Sequence, residues 1–221
     1  MENVTWFGHA SFSFVDNSSG KKIYYIDPFE LPQEKNLPKA DIIFVTHAHY
    51  DHLSPKDISS ILKPDTAVVA TSDSLETLNI PGEQKFPVEP NEEYEVKGFK
   101  FQTVPAYNVH PERLSAHPKS NNWVGYIFDI NGIRFYHAGD TDFIPEMQTF
   151  DKLNIDVAML PMGGKFAMDV EEVIKAVEAI KPKKVIPMHY KRILLDKSKD
   201  AEERLKQGVK ESEVVILEEF S

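Results

Sequence analysis

Nine consecutive residues, Phe44-Val45-Thr46-His47-Ala48-His49-Tyr50-Asp51-His52, place four potential metal ligands within six positions directly after an apolar run of strand length. Imidazoles at i and i+2 can turn to one side of a tight loop and hold one divalent ion. The adjacent Asp51 and His52 can then face a second ion a few ångströms away. The chain has no cysteine, so any metal must be held by His, Asp or Glu, and thiol catalysis and disulfide frameworks are excluded. Other candidates also follow apolar runs: Asp27 after Ile23–Ile26, Asn108 after Phe101–Pro105, Asp140 after Ile133–Tyr136 and His189 after Val185–Met188. Ligands from several strand ends on one rim of a rigid scaffold would make a di-metal centre. Taken singly, Asp140 is also what an ordinary loop carboxylate looks like, and His189 a hydrogen-bonded strand histidine.

The elements that must position these residues begin with strands over Val4–Phe7, Ser11–Val15 and Lys22–Ile26, the turn Asn17-Ser18-Ser19-Gly20 preceding the third. A strand over Asp41–Thr46 follows. Ser54-Pro55-Lys56-Asp57 supplies an N-cap, a proline at the first helical position and an acid in the first turn, starting a helix that Pro64 ends. Ala67–Ala70 reads as a strand, Asp73–Leu78 as a short helix and Tyr94–Val104 as a hairpin turning near Lys97-Gly98. Asn131-Gly132 joins strands Trp123–Ile130 and Ile133–His137 in a second hairpin. Asp156–Leu160 is a strand; Asp169 caps a helix with the apolar stripe Val170, Val173, Ile174, Val177 and Ile180, which Lys181-Pro182 ends. A strand over Val185–Met188, an exposed helix over Ala201–Lys206 and a strand over Glu213–Leu217 complete roughly ten to twelve strands and three to five helices. Both halves run from hairpins into strand-helix units, predicting an α/β fold of two packed sheets with helices on their outer faces. The longest irregular segment, Asn108–Asn122, holds His110 and His117.

At 221 residues the chain reads as one domain spanning 1–221, with 41% apolar and 27% charged residues as in ordinary globular proteins. A net charge of −10 opposes general nucleic-acid binding, which needs a basic face. The first residues lack a basic stretch followed by an apolar core, so no signal peptide is read and the expected location is the cytoplasm. No window approaches the roughly 18 apolar residues of a membrane span.

The run His47-Ala-His49-Tyr-Asp51-His52, the later Gly139-Asp140-Thr141 and the final Met188-His189 resemble, in matching order, the motifs of the metallo-β-lactamase superfamily. Within it, Trp6-Phe7-Gly8-His9-Ala10, Ile26-Asp27-Pro28 and Pro187-Met188-His189 are most similar to the compact hydrolases grouped with ascorbate-6-phosphate lactonase and N-acylphosphatidylethanolamine phospholipase D. The resemblance implies a four-layer αββα sandwich and two divalent ions, zinc first, with manganese or iron as alternatives. His47 and His49 would bind one ion, Asp51, His52 and His189 the other, and Asp140 would bridge them, with Asp51 and Asp140 as the catalytic carboxylates. The implied reaction is hydrolysis of a small ester, lactone, thioester or phosphodiester by a metal-bridging hydroxide. Family members commonly carry a third histidine for the first ion where this chain has Val104-Pro105-Ala106-Tyr107-Asn108. An amide is a weak ligand, so the following loop must help: His117 is favoured, His110 is the alternative, and both being solvated is the third outcome.

His9 either lines the site or is hydrogen-bonded structure, Asp27 supports the metal loop or caps a turn, and His137 reads as packing. Gly163-Gly164 is given no role. Lys119 and Arg113 on the long loop would suit an anionic substrate group. The expected partner is thus a small molecule, with neither nucleic acid nor membrane, and self-association is compatible with the reading. Two other functions compete: a nuclease of the same fold, opposed by charge and length, and a non-catalytic metal-binding sensor or partner module, opposed by the near-complete ligand set. The (β/α)₈ amidohydrolase barrel also uses His-x-His, but needs about 250 residues and no hairpins.

Overall fold

The computed structural model describes residues 3–18 and 20–220. Met1, Glu2, Ser221 and Ser19 of the expected first turn lie outside them. The first sheet is built from β1 (Val4–Gly8), β2 (Ser11–Asp16), β3 (Lys22–Ile26), β4 (Ile42–Phe44), β5 (Ala67–Ala70) and β6 (Lys85–Pro87) in sequence order. Helices α1 (Pro55–Ile61) and α2 (Ser72–Glu76) fall between its later strands. β1 to β3 are antiparallel; β3 to β6 are parallel. The second sheet runs from β7 (Glu93–Val96) through β8 (Phe99–Pro105), β9 (Val124–Ile130), β10 (Ile133–His137), β11 (Val157–Pro161) and β12 (Lys184–Met188) to β13 (Glu213–Val214). Its first four strands are antiparallel and β10 to β13 parallel. Helices α3 (Val170–Ile180), α4 (Lys191–Leu194) and α5 (Ser198–Gly208) belong to this half.

Strand period 2 sorts the side chains into layers. Tyr24, Ile26, Ile42 and Phe44 enter the core between the sheets, while Ile23, Tyr25, Ile43 and Val45 enter a second core with Ile58 and Ile61 of α1 and Leu75 of α2. β3 and β4 are therefore apolar on both faces, as covered parallel strands must be. Aromatic rings join the sheets: Phe14 meets Phe128 at 5.2 Å and Phe44 meets Tyr126 at 5.1 Å between centroids. The α3 stripe packs on β11, completing an αββα sandwich. Asp169 accepts from the Glu172 amide while Glu172 accepts from the Asp169 amide, the capping box that starts α3.

Several boundaries differ from expectation. The strand expected over Asp41–Thr46 keeps only Ile42–Phe44, because Thr46 already turns into the ligand loop. The strand expected over Glu213–Leu217 shrinks to Glu213–Val214, and the chain then runs on to Phe220, whose amide donates to Trp6 O in edge strand β1. The exposed helix begins at Ser198 rather than Ala201. β6, α4 and a 3-10 segment over Pro145–Leu153 were not predicted: none carries a long apolar period, and Pro87 disguises β6. His137 is packing, as expected; its Nε2 contacts Ala10 O at 2.9 Å and its Nδ1 accepts from the Gly139 amide. Among the described residues no helix is long and apolar enough to cross a membrane.

Strand polarity decides where chemistry can sit. The C-terminal ends of parallel strands β3, β4, β10 and β12 share one rim, and antiparallel neighbours bring the end of β1, the end of β8 and the start of β9 to the same rim. Because Phe44 contacts rings from both strands β8 and β9, Phe44→Ala opens a cavity that neither sheet can close alone. A loss of about 3–5 kcal/mol, read from the urea midpoint, is expected.

Candidate metal centre

The rim loops are held by one buried carboxylate and by backbone bonds. Asp27 Oδ1 accepts the Thr46 amide at 2.8 Å, tying the end of β3 to the turn after β4. His49 O then accepts the amides of His52 (3.0 Å) and Leu53 (2.8 Å), folding Asp51 and His52 back toward the strand end. His9, Asp27 and His189 all stand in the left-handed region, at φ 51°, 46° and 55°. Such strain persists where surrounding contacts over-determine a site. Across the rim, Gly163 passes so close to His189 that an added Cβ would lie 2.6 Å from His189 O, a contact only glycine permits.

Hydrogen bonds fix which ring nitrogen of three histidines is free. Thr46 Oγ1 donates its only proton to Asp27 Oδ2 at 2.7 Å, so it can only accept from His47 Nδ1 at 3.0 Å, which leaves His47 Nε2 a lone pair. His52 Nδ1 donates to Asp27 Oδ2 at 2.7 Å, freeing its Nε2. The carbonyl of Phe166 can only accept, so His117 Nδ1 donates to it at 3.0 Å and again Nε2 is free.

These free atoms converge. His52 Nε2 lies 3.6 Å from Asp140 Oδ1, while His117 Nε2 and His189 Nε2 lie 3.4 and 3.2 Å from Asp140 Oδ2. His189 Nε2 is also 3.5 Å from Asp51 Oδ2, which His9 Nε2 contacts at 2.9 Å. His52 Nε2, His117 Nε2, His189 Nε2 and Asp140 Oδ1 are buried without a hydrogen-bond partner. Buried polar atoms of this kind are costly unless something satisfies them. His47 Nε2 faces His49 Nδ1 at 3.0 Å, and both rings stand 4.8 Å from that of Trp123, whose Nε1 donates to Asp73. Donor atoms of three sets lie within 4.8 Å of one another: His47, His49 and His117; His9, Asp51, His52 and His189; and His47, His52 and Asp140. A cation fits this donor set.

Burial lowers the pKa of His47 far below the usual imidazole value, with His52 adding to the effect; it lowers His49 too and takes His117 to about 4. These rings are neutral, as metal ligands must be. Burial would also lower His52, but Asp140 and Asp27 overcome it and hold this group well above its usual value. For Asp140, burial acts upward and is outweighed by His189 and His52, so the carboxylate stays ionised.

Every ligand candidate, namely His47, His49, Asp51, His52, His117, Asp140 and His189, is brought to this rim, and His110 is not. His110 is exposed, with its Nδ1 accepting from the Glu112 amide. Asn108 is a staple whose Nδ2 donates to Arg113 O and Phe166 O. Arg113 and Lys119 do not stand free for a substrate. Arg113 is buried, in contact with both Glu172 oxygens at 2.7 Å and with Asp142 at 2.9 Å. Lys119 is engaged by Glu146 and Tyr107 OH, each at 3.0 Å. Both cations tie down the long loop instead. Trp123 and the Phe166 carbonyl are site components that the sequence did not assign, whereas His9, open there between lining the site and hydrogen-bonded structure, contacts Asp51 at the rim.

The beta-lactamase superfamily domain matches residues 3–189. The chain is 37% identical over 199 residues to a metal-dependent hydrolase of Thermoplasma acidophilum, covering 86% of this chain and 84% of that one. It is 37% identical over 227 residues to another from Thermococcus onnurineus, covering 98% and 96%. The crystal structure of a candidate metal-dependent hydrolase from Parabacteroides distasonis superposes with a TM-score of 0.81 at 32% identity, covering 99% of this chain and 93% of the other. This chain belongs to the beta-lactamase superfamily. The αββα sandwich is the metallo-β-lactamase fold, and the full-length relatives place the chain among the superfamily's metal-dependent hydrolases. The superfamily match runs from β1 to His189 and so spans every residue of the rim.

Since Arg113 joins the His117 loop to Asp142 and to α3, Arg113→Met leaves two carboxylates facing each other in a buried place. A destabilisation of about 3–5 kcal/mol is expected in urea unfolding. The Arg113→Lys variant, which keeps the charge but not the fork, should recover only part of it.

Proposed function

We propose that this superfamily member hydrolyses a small ester, lactone, thioester or phosphodiester in the cytoplasm at a two-metal site. His47, His49 and His117 would hold one ion, Asp51, His52 and His189 the other, and Asp140 would stand between them. The observation that carries this reading is the convergence of three buried, partnerless imidazole Nε2 atoms on the ionised carboxylate of Asp140. Nitrogen and oxygen donors without thiolate favour zinc, with manganese or iron as the alternatives.

Two bound cations supply Lewis-acid polarisation of the attacked group and depress the pKa of water to near neutrality. The chain's residues prepare for this. Asp27 directs His52 Nε2 inward and, through Thr46, does the same for His47. Phe166 O does so for His117, and His9 steadies Asp51 from the opposite side. Trp123, itself buried, packs against His47 at a tilt and against His49 edge-on, taking up space beside both rings. With His47, His49 and His117 neutral and Asp140 ionised, the site presents lone pairs and negative charge at one point, which suits cations.

Elemental analysis of the purified protein is expected to give close to two transition-metal ions per chain, and chelation should abolish hydrolysis of a chromogenic panel assayed with zinc, manganese or iron. No metal uptake on titration would sink the proposal. Asp140→Asn should keep the circular dichroism spectrum yet lower kcat by at least about a hundredfold, since even outer partners of metal sites act on a ten- to hundredfold scale.

The long-loop histidine gives a sharper test. His117→Ala should drop the metal ratio from near two to near one, while His110→Ala leaves it unchanged. The reverse pattern would move the ligand to His110.

A further inference from the structure

A cavity of about 330 Å³ opens over Asp51 and His189, with His9 completing its floor. Volumes of this size sit at the small end of ligand pockets. Its wall is aromatic: Phe29 and Tyr50 meet edge to face at 6.0 Å, and Phe166 comes from the opposite loop. Tyr50 is 78% exposed and Phe166 40% exposed. Large apolar rings left open beside a concave site are what a planar ligand group would cover.

The cavity's two cations are unlike. Arg192 is consumed by Glu30, with which it forms an ion pair, and lies over the Phe29 ring. Lys165 has no carboxylate partner among the described residues; its ammonium stands 4.8 Å from the centroid of Phe166. In a chain of net charge −10 this is an unneutralised cation at the mouth of the site. The Gly163 approach to His189 and the Phe166 carbonyl bond to His117 fix the backbone at both ends of its short turn.

Resting on the hydrolase reading above, we propose that the substrate carries a planar apolar group, packed on Phe29, Tyr50 and Phe166, and a carboxylate or phosphate remote from the cleaved bond, held by Lys165. The bond to be hydrolysed would then lie over Asp51 and His189. Lys165 and the aromatic residues are specificity-determining; they take no part in proton or bond transfer.

The test is a binding series on the metal-loaded enzyme by calorimetry: methylphosphonate, phenylphosphonate and 4-carboxyphenylphosphonate. Each step should tighten Kd by about five- to tenfold, the scale of one stacked ring or one charge-assisted contact. Lys165→Gln should erase the second step and keep the first. Tyr50→Ala and Phe166→Ala should shrink the first, with metal content unchanged by elemental analysis. A flat series in metal-bearing protein, or a second step that survives Lys165→Gln, overturns this inference and leaves the hydrolase reading standing. Protein that takes up no metal overturns both.

Discussion

The carboxylate of Asp27 is the interaction on which the rim depends. It is fully buried, yet accepts the Thr46 amide, the Thr46 hydroxyl and His52 Nδ1. One negative charge thereby joins two parallel strands at their ends and sets the tautomers of two histidines. A buried carboxylate survives only when hydrogen bonds replace its water, and here every replacement bond also orients a potential ligand. Asp27 and Asp140 together hold His52 above its usual pKa, and an environment that favours a proton on that ring favours a divalent cation beside it more strongly.

Much of this was legible in the chain. The His47-to-His52 run announced its chemistry because four ligand residues in six positions have no packing explanation, and Asp140 and His189 could be placed because each follows an apolar strand. Convergence followed from topology: parallel strands put their C-terminal ends on one edge. Asp27 was evenly balanced between support and turn cap, since local spacing says nothing of a partner such as His52, 25 positions away. Boundaries failed where a loop captured strand residues, as at Thr46, or where elements were too short to carry a period, as in β6 and α4.

The loop from Asn108 to Asn122 shows a different limit. The structure brings its His117 to the rim and leaves His110 exposed, while its cations, which suit an anionic substrate in the sequence, meet protein carboxylates, because a sequence displays charge without its counter-charge. Arg113 meets Asp142, 29 positions on, and Glu172, 59 positions on, and those carboxylates lie on separate elements. An arginine so enclosed anchors a loop: its planar fork spans two acids, and its burial forbids a visiting anion from competing for them.

The two loops that meet at His117 divide their labour between backbone and side chains. Phe166 contributes its carbonyl to His117 while its ring faces the cavity, and Gly163 contributes only the absence of a side chain against His189. Tyr50 sits inside the ligand run between His49 and Asp51, yet its ring is the most exposed large one at the rim. The framework that presents lone pairs therefore uses a main-chain atom at Phe166, and the side chains of Phe166 and Tyr50 are left to line the mouth. Replacing those side chains alters the shape of the cavity without breaking a bond that orients His47, His52 or His117. Such separation lets one buried constellation serve substrates of different shape, because only the rings and the ammonium at the mouth need change.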